Sequence, residues 1–274
     1  MSKNNKNKIL NEVLPKLPEI SLDFEKIMQF SSHTYWGVQE KDKEKFAKLM
    51  NEAQSLVQPG SFLGDNLFTW GRNNSPLEDV PFRNSWESNL TSKADEAIIW
   101  RRYIIACAAY HCIHLPGDFT EFGVYAGTGI KTVIDYLGGV KFPKTFWGYD
   151  TFDSNPVEGH KFTGQEQGFF EKVQKRFKDY PQVKLIKGLV PDSFDFGMPD
   201  SVAYMHIDMN NYEGEIAALD ALFERVVSGG IVILDDYEWS GIYREQKQKE
   251  DQWFDKRQYR IFPLPTGQGL IIKR

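Results

Sequence analysis

The chain has 274 residues, 41% of them hydrophobic and 26% charged, with a net charge of −5. A chain of this length buries roughly three quarters of its unfolded surface, so its core needs no staples. The mild acidity, without any dense Lys/Arg stripe, argues against a nucleic-acid footprint, and no apolar run approaches the roughly 18 to 20 residues of a membrane span. Cys107 and Cys112 imply no disulfide framework. The polar start over residues 1–8 lacks the apolar segment of a signal peptide. A cytoplasmic setting is therefore expected.

Residues 10–95 read as irregular. A turn of helix precedes Pro15, and a helix over 43–57 carries Phe46, Leu49 and Met50 as its apolar stripe. Gly-, Pro- and Asn-rich loops such as 71–76 fill the remainder. This stretch is expected to form a helical cap without an independent core. Ser92 and Asp95 then make a cap pair opening a long helix to about His114, stopped by Leu115-Pro116-Gly117.

Strands are expected at 119–124, 145–149, 183–187, 202–207 and 231–234, alternating with helices at 129–137, 167–177 and 213–227. A charged helix at 244–256 and closing strands at 259–262 and 269–273 follow. Such alternation implies right-handed crossovers and a mostly parallel sheet covered on both faces, with an antiparallel strand at one edge. Ligands of such sheets bind beyond the carboxyl ends of the strands.

Three motifs fall on that side. In TEFGVYAGTG, residues 120–129, the glycines Gly123, Gly127 and Gly129 let backbone approach a ligand and leave helix N–H groups free. Glu121 is an acid suited to a cationic amine. The spacing is not G-x-G-x-x-G, and alone the motif reads equally as an ordinary strand-to-helix turn. In FWGYDTFD, residues 146–153, Asp150 ends a strand where an acid accepts hydrogen bonds from the ribose of a nucleoside cofactor. NAD and S-adenosylmethionine both satisfy that pattern; the plainer reading is an exposed turn residue.

The third motif is a pair of apolar runs ending in acid: 203–207 before Asp208, and 231–234 before Asp235 and Asp236. Three hard oxygen ligands at one rim suit Mg²⁺ or another hard cation, and without one they would repel each other. The alternative is that Asp236 caps the next helix and Asp208 alone meets a ligand. Tyr237 and Trp239, just beyond, either stack on an acceptor or cover the sheet end. Among the histidines, His160 lies in a Gly/Pro-rich loop and His206 reads as packed in its strand. His111 and His114, near Cys107 and Cys112, share what looks like a buried helix face rather than a zinc site.

Four segments, in order and spacing, resemble the macrocin-type O-methyltransferases. They are Glu121-Phe122-Gly123-Val124-Tyr125-Ala126-Gly127, Tyr149-Asp150-Thr151-Phe152-Asp153, Ile207-Asp208 with Tyr212-Glu213, and Gly229-Gly230 with Asp235-Asp236-Tyr237. The resemblance covers about residues 95–273 and implies a Mg²⁺-dependent, S-adenosylmethionine-using enzyme that methylates hydroxyls of sugars or glycosylated natural products. The implied fold is the class I methyltransferase fold, Rossmann-like and α/β. It has a mostly parallel seven-stranded sheet with helices on both faces, here over 95–274, preceded by an N-terminal extension over 1–94 that shapes the acceptor pocket or makes oligomer contacts.

The resemblance also implies roles. Glu121 and the turn of Gly123, Val124, Tyr125 and Gly127 would hold the methionine end of the cofactor, and Asp150 with Thr151 the ribose. Gly188, Asp192 and Ser193 would lie at the adenine. Asp208, Asp235 and Asp236 match metal ligands, Asp208 lying at the reacting centre, and His160, after Gly159, matches a candidate general base. The expected partner is a small-molecule acceptor with adjacent hydroxyls, with neither nucleic acid nor membrane; a homo-oligomer is compatible with these features. The rival readings are a catechol-type methyltransferase, an NAD-dependent oxidoreductase and a non-catalytic cofactor-binding protein.

Overall fold

The computed structural model describes residues 14–16, 28–57, 60–152 and 168–274. His160, Gly159 and Asp153 lie outside the described residues, as does the helical turn expected before Pro15. The chain forms two compact units that divide between residues 103 and 104, inside a helix rather than at residue 95.

The first unit, residues 15–103, carries a small sheet that the sequence did not announce. Strands β1 (Phe30–Ser31), β2 (Phe62–Gly64) and β3 (Leu67–Thr69) pair in that order, β1 parallel and β3 antiparallel to β2. The β2–β3 hairpin turns through Asp65 and Asn66, at φ 51° and 57°, the left-handed pair of a two-residue turn that short polar side chains tolerate. Arg101 locks that turn with a two-pronged ion pair to Asp65, at 2.7 and 2.9 Å.

Around the sheet lie α1 (Lys43–Ser55), α2 (Ser75–Glu78), α3 (Val80–Asn89) and α4 (Lys93–Ala97). Phe62, Phe82 and Trp86 are buried among them. The expected irregular cap thus has a core of its own. Its strands of two or three residues are too short to show a period. Ser92 caps as expected, accepting from the Asp95 N–H at 3.1 Å, but the helix breaks at Ile98 and resumes as α5 (Ile99–Cys112).

The second unit holds β4 (Asp118–Phe122), β5 (Phe146–Asp150), β6 (Val183–Lys187), β7 (Val202–Ile207), β8 (Val226–Leu234), β9 (Phe262–Pro263) and β10 (Gly269–Ile272). They form one seven-stranded sheet in the order β6-β5-β4-β7-β8-β10-β9. The first five are parallel; β10 runs antiparallel to both neighbours. The order reverses between β4 and β7, the switch point where ligands of such sheets bind. Helices α6 (Thr128–Tyr136), α7 (Phe169–Arg176), α8 (Tyr212–Leu222) and α9 (Tyr243–Asp255) complete the unit. Ile130 of α6 packs against Gly148 of β5. Leu219 and Leu222 of α8 and Trp253 and Phe254 of α9 cluster with Phe122, Tyr149, Ile207 and Leu234, residues of opposite pleat parity, so helices cover both faces. No helix among the described residues is long and apolar enough to cross a membrane.

One boundary differs from expectation in a way that matters. The helix expected over 213–227 ends at Leu222, and after one 3₁₀ turn β8 begins at Val226, not at residue 231. Gly229-Gly230, read as the turn before the strand, lies within it: Val202 pairs with Val226, but Tyr204 pairs with Ile231. The extra residues bulge out at Gly229, whose φ is 83°.

Close approach explains the glycine turn after β4. Gly123 has φ 88°, and a Cβ there would collide with the Asp208 carbonyl; a Cβ on Gly127, at φ 77°, would meet the Phe177 ring at 2.6 Å. These glycines serve the fold as well as any ligand. Gly123→Ala is expected to cost roughly 2 kcal/mol or more of stability, from the left-handed backbone and the collision together, read as a lower denaturation midpoint.

On the opposite face, Glu215 of α8 and Glu250 of α9 are both buried. Glu215 accepts from the Met209 N–H at 3.1 Å. Burial, then the neighbouring Glu250, pushes the Glu215 carboxyl well above the usual range. Burial likewise pushes Glu250 up to about 7. Two such carboxyls share a proton rather than both ionise. An acid raised in the folded state stabilises it fully at low pH and loses that contribution as pH climbs through the raised value. Stability should therefore fall between pH about 4.5 and about 7, by on the order of 3 kcal/mol from Glu250. Glu250→Gln should flatten the fall and raise the melting temperature at alkaline pH, as thermal melts across that range will show.

Candidate active site

The strands' carboxyl ends supply the chemistry, and register decides which side chains meet. Glu121 pairs with Gly148 on one side and His206 on the other, and His206 pairs with Ile233. Paired residues share a face, and so do residues two apart. The ladder runs one residue past two strands: the Asp208 N–H donates to Phe122 at 2.8 Å and the Asp235 N–H to Ile207 at 2.9 Å. Asp150, Asp208 and Asp235 thereby join Glu121 and His206 on one face.

His206 is the hub. Its Nδ1 lies 3.0 Å from Glu121 Oε2 and its Nε2 3.4 Å from Asp235 Oδ1. Burial alone would push the imidazole towards its neutral form; hydrogen bonds to Asp235 and Glu121, and their charges, reverse this and hold its pKa at about 10. The ring is a cation between two carboxylates. The same Asp235 oxygen accepts from Gln268 Nε2 at 2.7 Å, and Gln268 Oε1 accepts from Thr266 Oγ1 at 2.9 Å. Among the described residues, His206, Asp208 and Asp235 can each direct one ligand atom so that all three lie within 4.8 Å of one another.

The expected trio of acids is therefore divided. Asp236 is buried, and its charge is among those that raise Glu215. It caps no helix, since the residue preceding α9 is Ile242. The strand ends at Leu234, so alternation does not fix the acids that follow: Asp235 lies against His206, while Tyr237, two residues on, lies in the core on the α9 side. His206, read as packed, is buried as expected, yet its partners are ionic rather than apolar.

The residues expected at the cofactor surround the reversal of strand order. Asp150 is no exposed turn residue: Oδ2 accepts from the Tyr125 N–H and Oδ1 from the Phe152 N–H, both at 2.7 Å. Burial raises its pKa against the pull of those N–H groups. Its own carbonyl accepts from Gly188 at 3.0 Å, joining β5 to the segment after β6. Tyr125, Phe152 and Asn210 have φ 46°, 49° and 54°; each lies just past one of three adjacent strands, a concentration of backbone strain that marks functional rims. Val124 is buried, Thr151 half-buried and Asp192 exposed. Ser193 is buried, and its hydroxyl has no hydrogen-bond partner among the described residues.

Other expected residues are already engaged within the protein. Glu121 is 2% exposed, its charge already matched by His206. Tyr237 belongs to the core on the α9 side, its hydroxyl donating to Asp251 and its ring lying 3.4 Å beneath the Lys247 ammonium, so it is not presented to an acceptor. Trp239 is half-buried, with Gly267 against its indole. Cys107 is exposed and Cys112 buried, so they share no site.

The donor set fits a hard divalent cation. Two carboxylates from neighbouring strands, Asp208 and Asp235, match the one or two that Mg²⁺ usually takes from a protein, leaving positions for water and substrate oxygens.

Comparison with known proteins identifies the family. Residues 106–252 match the family model for macrocin-O-methyltransferase (TylF). Over 142 residues the chain is 28% identical to the 8-demethyl-8-(2,3-dimethoxy-alpha-L-rhamnosyl)-tetracenomycin-C 4'-O-methyltransferase of Streptomyces olivaceus, covering 45% of this chain and 54% of that one. Over 146 residues it is 27% identical to demethyldecarbamoylnovobiocin O-methyltransferase of Streptomyces niveus, again 45% and 54%. The chain thus spans about half the length of the curated relatives it matches. A solved calicheamicin methyltransferase aligns with TM-score 0.55 at 14% identity, over 93% of this chain and 98% of that one. The O-methyltransferase NovP aligns with TM-score 0.52 at 23% identity, over 64% and 80%. At such identities these likenesses show the fold alone, and it is the class I methyltransferase fold. The family model spans more than half of the chain and takes in the glycine turn, Asp150, Asp208 and both acids after β8, and the chain belongs to the macrocin-O-methyltransferase family.

Proposed function

We propose that the chain is an S-adenosylmethionine-dependent O-methyltransferase for a hydroxyl of a sugar or glycosylated natural product, its acceptor carrying adjacent hydroxyls. The observation that carries this reading is the convergence, at one rim of a class I sheet, of a nucleoside-type carboxylate, Asp150, and a separate cluster of His206, Asp208 and Asp235. One relative acts, by its name, on a rhamnosyl tetracenomycin and another on a novobiocin precursor; a related acceptor class is the natural assignment here.

Asp150 and Thr151 face the ribose, the turn from Gly123 through Gly127 receives the methionine end, and Gly188, Asp192 and Ser193 border the adenine. The buried Ser193 hydroxyl, without a protein partner, suits that place. S-adenosylmethionine, when bound, supplies a methyl group already activated by its sulfonium. The chain must align an acceptor oxygen behind that methyl, and alignment alone is worth several kcal/mol. Asp208 and Asp235 would hold Mg²⁺, which supplies positive charge that makes an alcohol more acidic. Asp236, which the family resemblance counts with Asp208 and Asp235, would complete the acid set. His160, outside the described residues, is assigned as the base on the family resemblance.

Chelation should remove turnover and added Mg²⁺ restore it, measured as S-adenosylhomocysteine release with vicinal-diol glycosides and catechols offered side by side. Turnover untouched by EDTA would overturn the metal reading, and preference for catechols the acceptor reading. Asp208→Asn should lower kcat at least about 100-fold and His160→Ala by about 10²- to 10⁴-fold, each with little change in S-adenosylmethionine affinity. Retained turnover in either variant would remove that residue from the chemistry.

A further inference from the structure

We infer that His206 and Gln268 are positioning residues that tie the carboxylate beneath the cofactor, Glu121, to the carboxylate at the acceptor, Asp235, so that a change at one end is felt at the other. The inference rests on the proposed cofactor reading and adds to it a pair of residues to which neither the family match nor the motifs assign any role.

The contacts run without a gap across four neighbouring strands. Glu121 stands on β4, His206 on β7, Asp235 just past β8, and Gln268 just before β10. Successive separations are 3.0, 3.4 and 2.7 Å, and Thr266 adds a fourth contact of 2.9 Å behind Gln268. Exposure along the line is 2% at Glu121, 1% at His206, 3% at Asp235 and 0% at Gln268. Bulk solvent barely reaches these groups, so each takes its orientation from the next.

The geometry is more specific than packing requires. A single oxygen of Asp235 receives both the His206 and the Gln268 nitrogens, which constrains the carboxylate from two sides. The imidazole, held at both nitrogens, cannot rotate about its long axis without breaking a contact to one of two acids. An apolar side chain at residue 206 would fill the same volume between strands and leave both carboxylates unrestrained and unpaired.

Coupling of this kind is visible as non-additivity. The test is calorimetric titration of S-adenosylhomocysteine into the full chain and into Asp235→Asn, His206→Gln, Gln268→Leu and the double variant Asp235→Asn/His206→Gln, each checked for an intact thermal transition. Asp235→Asn and Gln268→Leu, both remote from Glu121, are expected to weaken binding at least threefold. The double variant should bind no more weakly than the poorer of its two parents. A merely structural role predicts losses that multiply. Multiplying losses, or unchanged affinity in Asp235→Asn and Gln268→Leu, would overturn the inference. If His206→Gln does not fold, Gln268→Leu decides the matter alone. If the unsubstituted chain takes up no S-adenosylhomocysteine, the proposed function itself falls, an outcome distinct from uptake that all variants share equally.

Discussion

The rim depends on one constraint, the register of β8 against β7. A strand shows alternate side chains to opposite faces, so a slip of one residue exchanges every partner. The bulge at Gly229-Gly230 sets that register: from Val202 to Tyr204 β7 advances two residues, while β8 advances five, from Val226 to Ile231. The surplus is odd, and it brings Ile233, and hence Asp235, onto the face of His206. A glycine pair six and five residues before Asp235 thus sets the register that brings this acid to His206.

Charge follows from that placement. An isolated imidazolium in a buried sheet would be costly, and so would either carboxylate beside it. Flanked by Glu121 and Asp235, each group makes the others tolerable, and the arrangement stores fixed charge at the rim without solvent to screen it. On the reverse pleat the balance differs. Burial leads the shifts of Glu215 and Glu250, the pull of Lys247 on Glu250 does not reverse it, and protonation takes the place of ion pairing. One sheet thus separates a zwitterionic layer from a protonated one.

The fold of the second unit was largely legible because its five parallel strands run five residues or more between helices of clear period. Val183–Lys187 and Val202–Ile207 have the expected bounds. What failed was punctuation. Gly229-Gly230 has the composition of a turn, and only long-range pairing reveals a bulge. In the first unit, strands as short as Phe30–Ser31 leave no periodicity, and the pairing with Phe62 depends on residues 32 positions apart in the chain. For the site, residue types at strand ends identified Asp150, Asp208 and Asp235, since acids end buried strands only for a reason. His206 escaped because a histidine inside an apolar run looks the same whether its neighbours are apolar or ionic.

Those neighbours come from other strands, and this bears on the division of work at the rim. Asp150 touches the backbone on both sides of it, at Tyr125 and Phe152, both in the left-handed region. Its carboxylate therefore braces two strained turns before any ligand arrives. Asp208 is braced differently, through its carbonyl packed on Gly123. Each acid is held by the turn of the strand beside it, so the β4 turn positions Asp150 and Asp208 together. Such shared support puts the spacing between cofactor and acceptor under backbone control, where rigid alignment is worth most. It also explains why strain collects at Tyr125, Phe152 and Asn210: the chain must reverse direction just where it cannot relax without moving a carboxylate.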